Sequence, residues 1–186
     1  MVLPVYVYGM SVLRKRALEI DEDYENLDTL IADMFETMYV SEGVGLAAPQ
    51  VGKSIRLFIV DASPMAEDDP SLEGFKRVFI NPVILGEHGE KWNFSEGCLS
   101  IPLIREEVTR QTNVRIEYYD ENWELHEEEF DGIKARIIQH EYDHLEGRLF
   151  VDRVSPLRRK LLNGRLKAIS RGQVDIDYRI VYPKKA

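Results

Sequence analysis

The chain has 186 residues, 44% of them hydrophobic and 31% charged, with a formal net charge of −9 and a single cysteine. This size and composition fit one soluble globular domain over residues 1–186, with core enough to fold without disulfides, which Cys98 alone could not form within the chain. The acidic balance argues against DNA binding, no apolar run approaches a membrane span, and Met1-Val2-Leu3-Pro4 starts no secretory signal, so a cytoplasmic address is expected.

Along the chain, Pro4–Tyr8 is short, apolar and extended in character, and leads into a surface arm through Val12-Leu13-Arg14-Lys15. From Asn26 to Val40 the residues Leu27, Leu30, Ile31, Met34 and Met38 recur at three- and four-residue steps, which predicts an amphipathic helix. Gly43 and Gly45 end it, and Ile55–Val60 then has the composition of a largely buried strand. The loop Asp61–Gly74, with two prolines and a cluster of acids, reads as a surface excursion. Val78-Phe79-Ile80 and Val83-Ile84-Leu85 read as two strands interrupted at Asn81-Pro82. Further on, Val114, Ile116 and Tyr118 alternate with Arg115, Glu117 and Tyr119, and Asp120-Glu121-Asn122 turns the chain into Trp123–Phe130, an antiparallel hairpin. Gly132 opens a second helix with Ile133, Ile137, Ile138 and Leu145, ending at Gly147. Pro156 begins a third, running to about Ser170, and the tail Val174–Val181 alternates like a strand. Strands followed by a core helix predict an α+β fold.

The chemistry concentrates in His140-Glu141-Tyr142-Asp143-His144, an H-E-x-x-H pattern on the second helix. Residues four apart stand one above the other on a helix, so both imidazoles can reach one metal ion. Glu141 then lies beside that ion, where a carboxylate takes protons from metal-activated water. A catalytic metal takes a third protein ligand. His88, His126, several carboxylates and Cys98 are available. His126 reads as an outward-facing residue in an acidic strand, and His88, in Gly86-Glu87-His88-Gly89, as a turn residue. Cys98, in Glu96-Gly97-Cys98-Leu99-Ser100, is by itself either a small buried hydrophobe or a thiolate ligand.

Three segments resolve this choice. Gly43-Val44-Gly45-Leu46-Ala47-Ala48-Pro49-Gln50, Glu96-Gly97-Cys98-Leu99-Ser100 and Gln139-His140-Glu141-Tyr142-Asp143-His144-Leu145-Glu146-Gly147 resemble, in order, the signature motifs of the peptide deformylases. The resemblance runs from about Tyr8 to Asp152. It implies antiparallel sheets packed around a central metal-binding helix, with an N-terminal amphipathic helix and a C-terminal helix. It implies that Cys98, His140 and His144 hold one divalent metal, with Glu141 as general acid/base and Gln50 and the Leu99 N–H polarising the formyl oxygen of N-formylmethionyl nascent peptides. Fe2+ is the family's usual metal, and Zn2+, Ni2+ or Co2+ can replace it. The Val44-Gly45 segment would pair with the substrate backbone, and the two glycines Gly43 and Gly45 leave room for it as well as ending the first helix. Ile133 and Ile137 are either the wall of the methionine pocket or ordinary core. Arg105 would meet the peptide further from the reacting end. The chain departs from residues common in the family at Met10-Ser11 and at Leu103, which follows Pro102 where a glycine is frequent.

Two rival readings share part of this pattern. A zinc endopeptidase would use the same His140, Glu141 and His144 but typically a third histidine or a carboxylate in place of Cys98; a non-catalytic metal protein would supply four ligands. Finally, residues 148–186 hold eleven Arg or Lys against three Asp. Around Leu157, Leu161, Leu162, Leu166 and Ile169 stand Arg158, Arg159, Lys160, Arg165 and Lys167, either a solvated basic face or a surface for transient ribosome contact.

Overall fold

A computed structural model describes residues 1–184; the end of the basic tail, residues 185 and 186, lies outside the described residues. In chain order the elements are β1 (Val5–Tyr6), α1 (Leu27–Val40), β2 (Gly45–Ala47), β3 (Leu57–Asp61), β4 (Lys76–Cys98), β5 (Ile101–Tyr119), β6 (Leu125–Asp131), α2 (Gly132–Leu145), α3 (Pro156–Ile169) and β7 (Ile180–Val181). Strands β2-β3-β4-β5-β6 form one antiparallel sheet in that order, and β1 pairs with β7 in a separate two-stranded parallel ladder. The α+β expectation and the three expected helices are met, with this short parallel ladder as the exception to the antiparallel pattern.

The large sheet is covered on both faces, and β3 shows why its sequence is continuously apolar. Leu57 and Ile59 pack with Ile31, Met34 and Met38 of α1, whereas Phe58 and Val60 pack with Ala135 and Ile138 of α2. Alternation is present in space but invisible in composition, because both faces are buried. A third cluster joins Leu162, Leu166 and Ile169 of α3 to Val7, Leu13, Ile101, Ile104 and Val108, so α3 closes the end of the β4–β5 hairpin. Ser155 accepts a hydrogen bond from the Arg158 N–H, and Pro156 occupies the first turn, a combination that starts α3 where the sequence placed it.

Four expectations are corrected. The strands Val78–Ile80 and Val83–Leu85 are parts of one strand, β4, whose register shifts between Ile80 and Val83. Asn81, at φ 49°, forms the irregularity there, and its side-chain amide pairs with the backbone N–H and C=O of Ile20 at 3.0 and 2.7 Å. The interruption is thus a bulge held from the side. His88 likewise lies in β4, next to the shift between His88 and Lys91, where Gly89 has φ +85°. In the tail, only Ile180–Val181 is strand; Val174–Arg179 has no ladder partner, although burial alternates along it. The loop 61–74 is also tied down more firmly than a surface excursion, because Leu72 is buried in the core shared by the sheet and α2.

Candidate metal centre and active site

Helix α2 carries the site because β6 runs straight into it. Gly132, at φ +55°, makes the strand-to-helix corner, a conformation that side-chain-bearing residues adopt at a cost. The helix then lies against the sheet with His140, Glu141 and His144 all buried. Cys98 is the last residue of β4, immediately before the two-residue turn Leu99-Ser100 into β5. Helix and hairpin bring Cys98 Sγ and ring nitrogens of His140 and His144 within 4.8 Å of one another. His144 Nε2 lies 3.4 Å from the sulfur.

The orientation of His140 is set from behind. Its Nδ1 is 2.8 Å from Glu96 Oε1, so Nδ1 carries the proton donated to the carboxylate and Nε2 is left for the cluster. Burial opposes charge on His140, but hydrogen bonds to Cys98 and Glu96 raise its pKa well above the ordinary value. His144 is lowered to about 3, by burial first and then by His140, and its ring is neutral. A sulfur and two imidazoles aimed at one point fit a divalent cation of borderline softness.

Glu141 faces the same point. Its Oε2 is buried and has no hydrogen-bond partner among the described residues, and burial pushes the carboxyl up to about 7. A Cβ placed on Gly45 would lie 2.6 Å from Glu141 Oε1. Gly45 therefore makes room for the Glu141 carboxylate itself, and Gly43 does the same for Leu99, whose Cδ1 would be 2.9 Å from an added Cβ. Gln50, 1% exposed, accepts from the Ala47 N–H at 2.9 Å through Oε1. That bond fixes which end of the amide is which, and Nε2 points to Ser100 Oγ at 3.1 Å and Cys98 Sγ at 3.4 Å.

A cleft of about 460 Å³ opens beside these residues and is lined by Val44, Gly45, Gln50, Leu99, Arg105, Ile133 and Ile137, among others. The candidate catalytic, metal and substrate-binding residues are thus brought to one place. Ile133 and Ile137 line the cleft and also pack in the α2 core. Arg105 lies over Gly97 and donates to the Ser95 carbonyl at 2.6 Å. Leu103 sits at φ +62° on the rim of the cleft, 66% exposed, and its carbonyl accepts from Arg165 of α3. The histidines set aside are elsewhere: His126 meets Asp120 at 2.7 Å beyond the β5–β6 turn, and His88 meets Glu129 at 3.0 Å on the surface.

The chain matches the family model for polypeptide deformylase over residues 2–160. The chain belongs to that family. It is 51% identical over 195 residues to a peptide deformylase of Christiangramia forsetii and 52% identical over 193 residues to one of Flavobacterium psychrophilum, each match covering 100% of both chains. Among solved structures it resembles a peptide deformylase from Legionella pneumophila, with TM-score 0.81 and 38% identity over 93% of this chain and 98% of that one. The Thermotoga maritima peptide deformylase gives TM-score 0.75 and 42% identity over 84% of this chain and 99% of that one. As a member of a metal-dependent hydrolase family, the chain has a Cys-His-His group in the expected place.

Sequence reasoning missed the support behind the ligands. Glu96 accepts from Arg110 Nε at 2.8 Å and from Arg136 Nη1 at 2.8 Å, besides His140. Arg110 also donates to Asp143, which is held by Arg153. Burial alone would raise the Glu96 pKa, but His140 and Arg110 hold it far below the carboxylate range. Glu96 and Asp143 stood inside quoted motifs; their arginine partners come from elsewhere in the fold and left no local signal.

Proposed function

We propose that the chain hydrolyses the N-formyl group of N-formylmethionyl nascent peptides, releasing formate and a free N-terminus. The observation that carries this reading is the convergence of Cys98, His140 and His144 with the unpartnered Glu141 carboxylate and two hydrogen-bond donors on one cleft. Fe2+ is the proposed native ion, with Zn2+, Ni2+ or Co2+ as substitutes. A divalent ion held by these three side chains supplies Lewis-acid activation of water and carbonyl when bound.

In this reading Glu141 takes the proton from the attacking water and delivers it to the leaving amine nitrogen; a carboxyl titrating near neutrality suits both steps. Gln50 Nε2 and the Leu99 N–H donate to the formyl oxygen as negative charge grows on it, and the Ala47 N–H holds the Gln50 amide in the necessary orientation. Ile133 and Ile137 receive the methionine side chain. β2 is an edge strand, so Val44-Gly45 has a free side along which the peptide backbone can add, and Arg105 meets residues beyond the first. Cys98 favours this reading over a zinc endopeptidase, and three ligands with an adjacent base favour it over a structural metal site. Formate release from formyl-Met-Ala-Ser by metal-loaded protein tests it, and no release with the metal bound would refute it.

We place the activity in the cytoplasm, with α3 making transient ribosome contact. Among the described residues no helix is long and apolar enough to cross a membrane. Arg158 and Arg159 are engaged by Glu106 and Asp152, and Arg165 by the Leu103 carbonyl. The contact therefore rests on Lys160 and Lys167, which are exposed and form no ion pair among the described residues. Salt-sensitive co-sedimentation with ribosomes should weaken when both lysines become alanine; binding unchanged by that double substitution argues against the contact.

A further inference from the structure

The tail between α3 and β7 comes back to the catalytic cleft. Ile176 and Tyr178 line it, although both lie beyond residue 160, where the family match ends. The Tyr178 hydroxyl donates to the Leu99 carbonyl at 2.7 Å. Leu99 and Ser100 form the tight turn that follows the ligand Cys98, and the turn is held from three further directions. The Ser100 carbonyl accepts from the Tyr8 N–H at 2.8 Å, Ser100 Oγ from Gln50 at 3.1 Å, and Leu99 Cδ1 packs into the space left by Gly43. Among the described residues only the Tyr178 side chain bonds the Leu99 carbonyl; with Cys98 fixed at the end of β4, holding the Leu99–Ser100 peptide plane restrains the φ and ψ of Leu99, and with them the Cys98–Leu99 plane that carries the Leu99 N–H.

The tail is seated for this task. Tyr182 covers Gly172, where an added Cβ would lie 2.5 Å from the ring, and Val5 and Val7 donate to the carbonyls of Arg179 and Val181 at 2.9 and 3.0 Å. Val174 and Ile180 pack on the α3 cluster on either side of Ile176 and Tyr178. Tyr178 is thus gripped at both flanks.

We infer that the C-terminal tail is a working wall of the catalytic cleft and that Tyr178 is a positioning residue, its hydroxyl aiming the Leu99 N–H at the reacting carbonyl oxygen. This rests on the oxyanion role proposed above for that N–H. Tyr178→Phe keeps the ring and removes the hydrogen bond. In metal-loaded full-length protein it should lower kcat for formyl-Met-Ala-Ser about fivefold, leave KM within about twofold, and speed amide exchange at Leu99 and Ser100. The urea midpoint should stay close to that of the parent. An unchanged kcat overturns the inference, and so does a kcat loss that merely tracks a fallen urea midpoint. Formate release by the parent reports the function separately: without it the catalytic half of the inference falls, and equal Leu99 exchange in parent and variant would remove the structural half too. One further measurement needs no variant. The Tyr178 hydroxyl proton should exchange with water more slowly by NMR than that of the exposed Tyr182, and equal rates overturn the inference.

Discussion

Gly45 shows how much a single missing side chain decides. Alanine there would put Cβ 2.6 Å from Glu141 Oε1 and 2.9 Å from its Cγ and Cδ, so the buried side chain has to shift along its length, away from its place beside the ligands. Gly45→Ala should therefore cost about 100-fold or more in kcat while shifting the urea midpoint little, measured by steady-state formate release beside denaturation; near-parental kcat would show that Glu141 tolerates displacement. His140, Glu141 and His144 were legible in the sequence because helix geometry alone brings residues four apart together. Cys98 and Gln50 needed the resemblance, since a lone thiol and a glutamine after a proline say nothing locally. Tyr178 was not legible at all: it reaches Leu99 across 79 positions, and no local pattern encodes that return.

Between elements, the approach to α3 is tied by ion pairs as well as by packing. Asp152 joins Arg14 of the N-terminal arm at 2.5 Å, Arg159 of α3 at 2.8 Å and the Leu149 N–H at 2.9 Å. Burial opposes its charge, but these bonds, that from Arg14 foremost, hold its pKa below the ordinary value of 3.8. A depressed carboxylate contributes stability above its unfolded pKa and loses it as pH falls through the folded one. Asp152→Asn should therefore cost about 1 kcal/mol at pH 7, a modest figure because the pairs are partly exposed, and the gap should close as pH falls below 3.8. Urea titrations at both pH values check this, and a pH-independent gap would contradict it. Helix boundaries were legible to within one or two residues, from apolar spacing in α1 and from Pro156 in α3. Strand β4 was not, because Asn81-Pro82 carries the composition of a break while, from outside, the Ile20 backbone holds the Asn81 side chain and the Arg56 carbonyl takes its N–H.

Across the whole molecule, the metal-ligand cluster and the core are one construction. Glu96, 3% exposed, binds Arg110, Arg136 and His140, and Arg110 passes the network to Asp143 and Arg153. Removing one charge from such a buried set leaves others uncompensated, so Glu96→Gln should destabilise the fold by about 3 kcal/mol in urea and also weaken metal retention; a loss under 1 kcal/mol would mean the network adds little. The acidic average hides a basic C-terminal segment, whose three α3 arginines are all engaged by internal partners. The proposed deformylation turns on Glu141 acting at a metal held by Cys98, His140 and His144. The most direct test loads parent and Glu141→Ala with metal anaerobically, confirms equal metal content, and measures formate released from formyl-Met-Ala-Ser. The parent should release formate and the variant be slower by about 100-fold or more, whereas equal rates, or no release by the metal-loaded parent, would contradict the account.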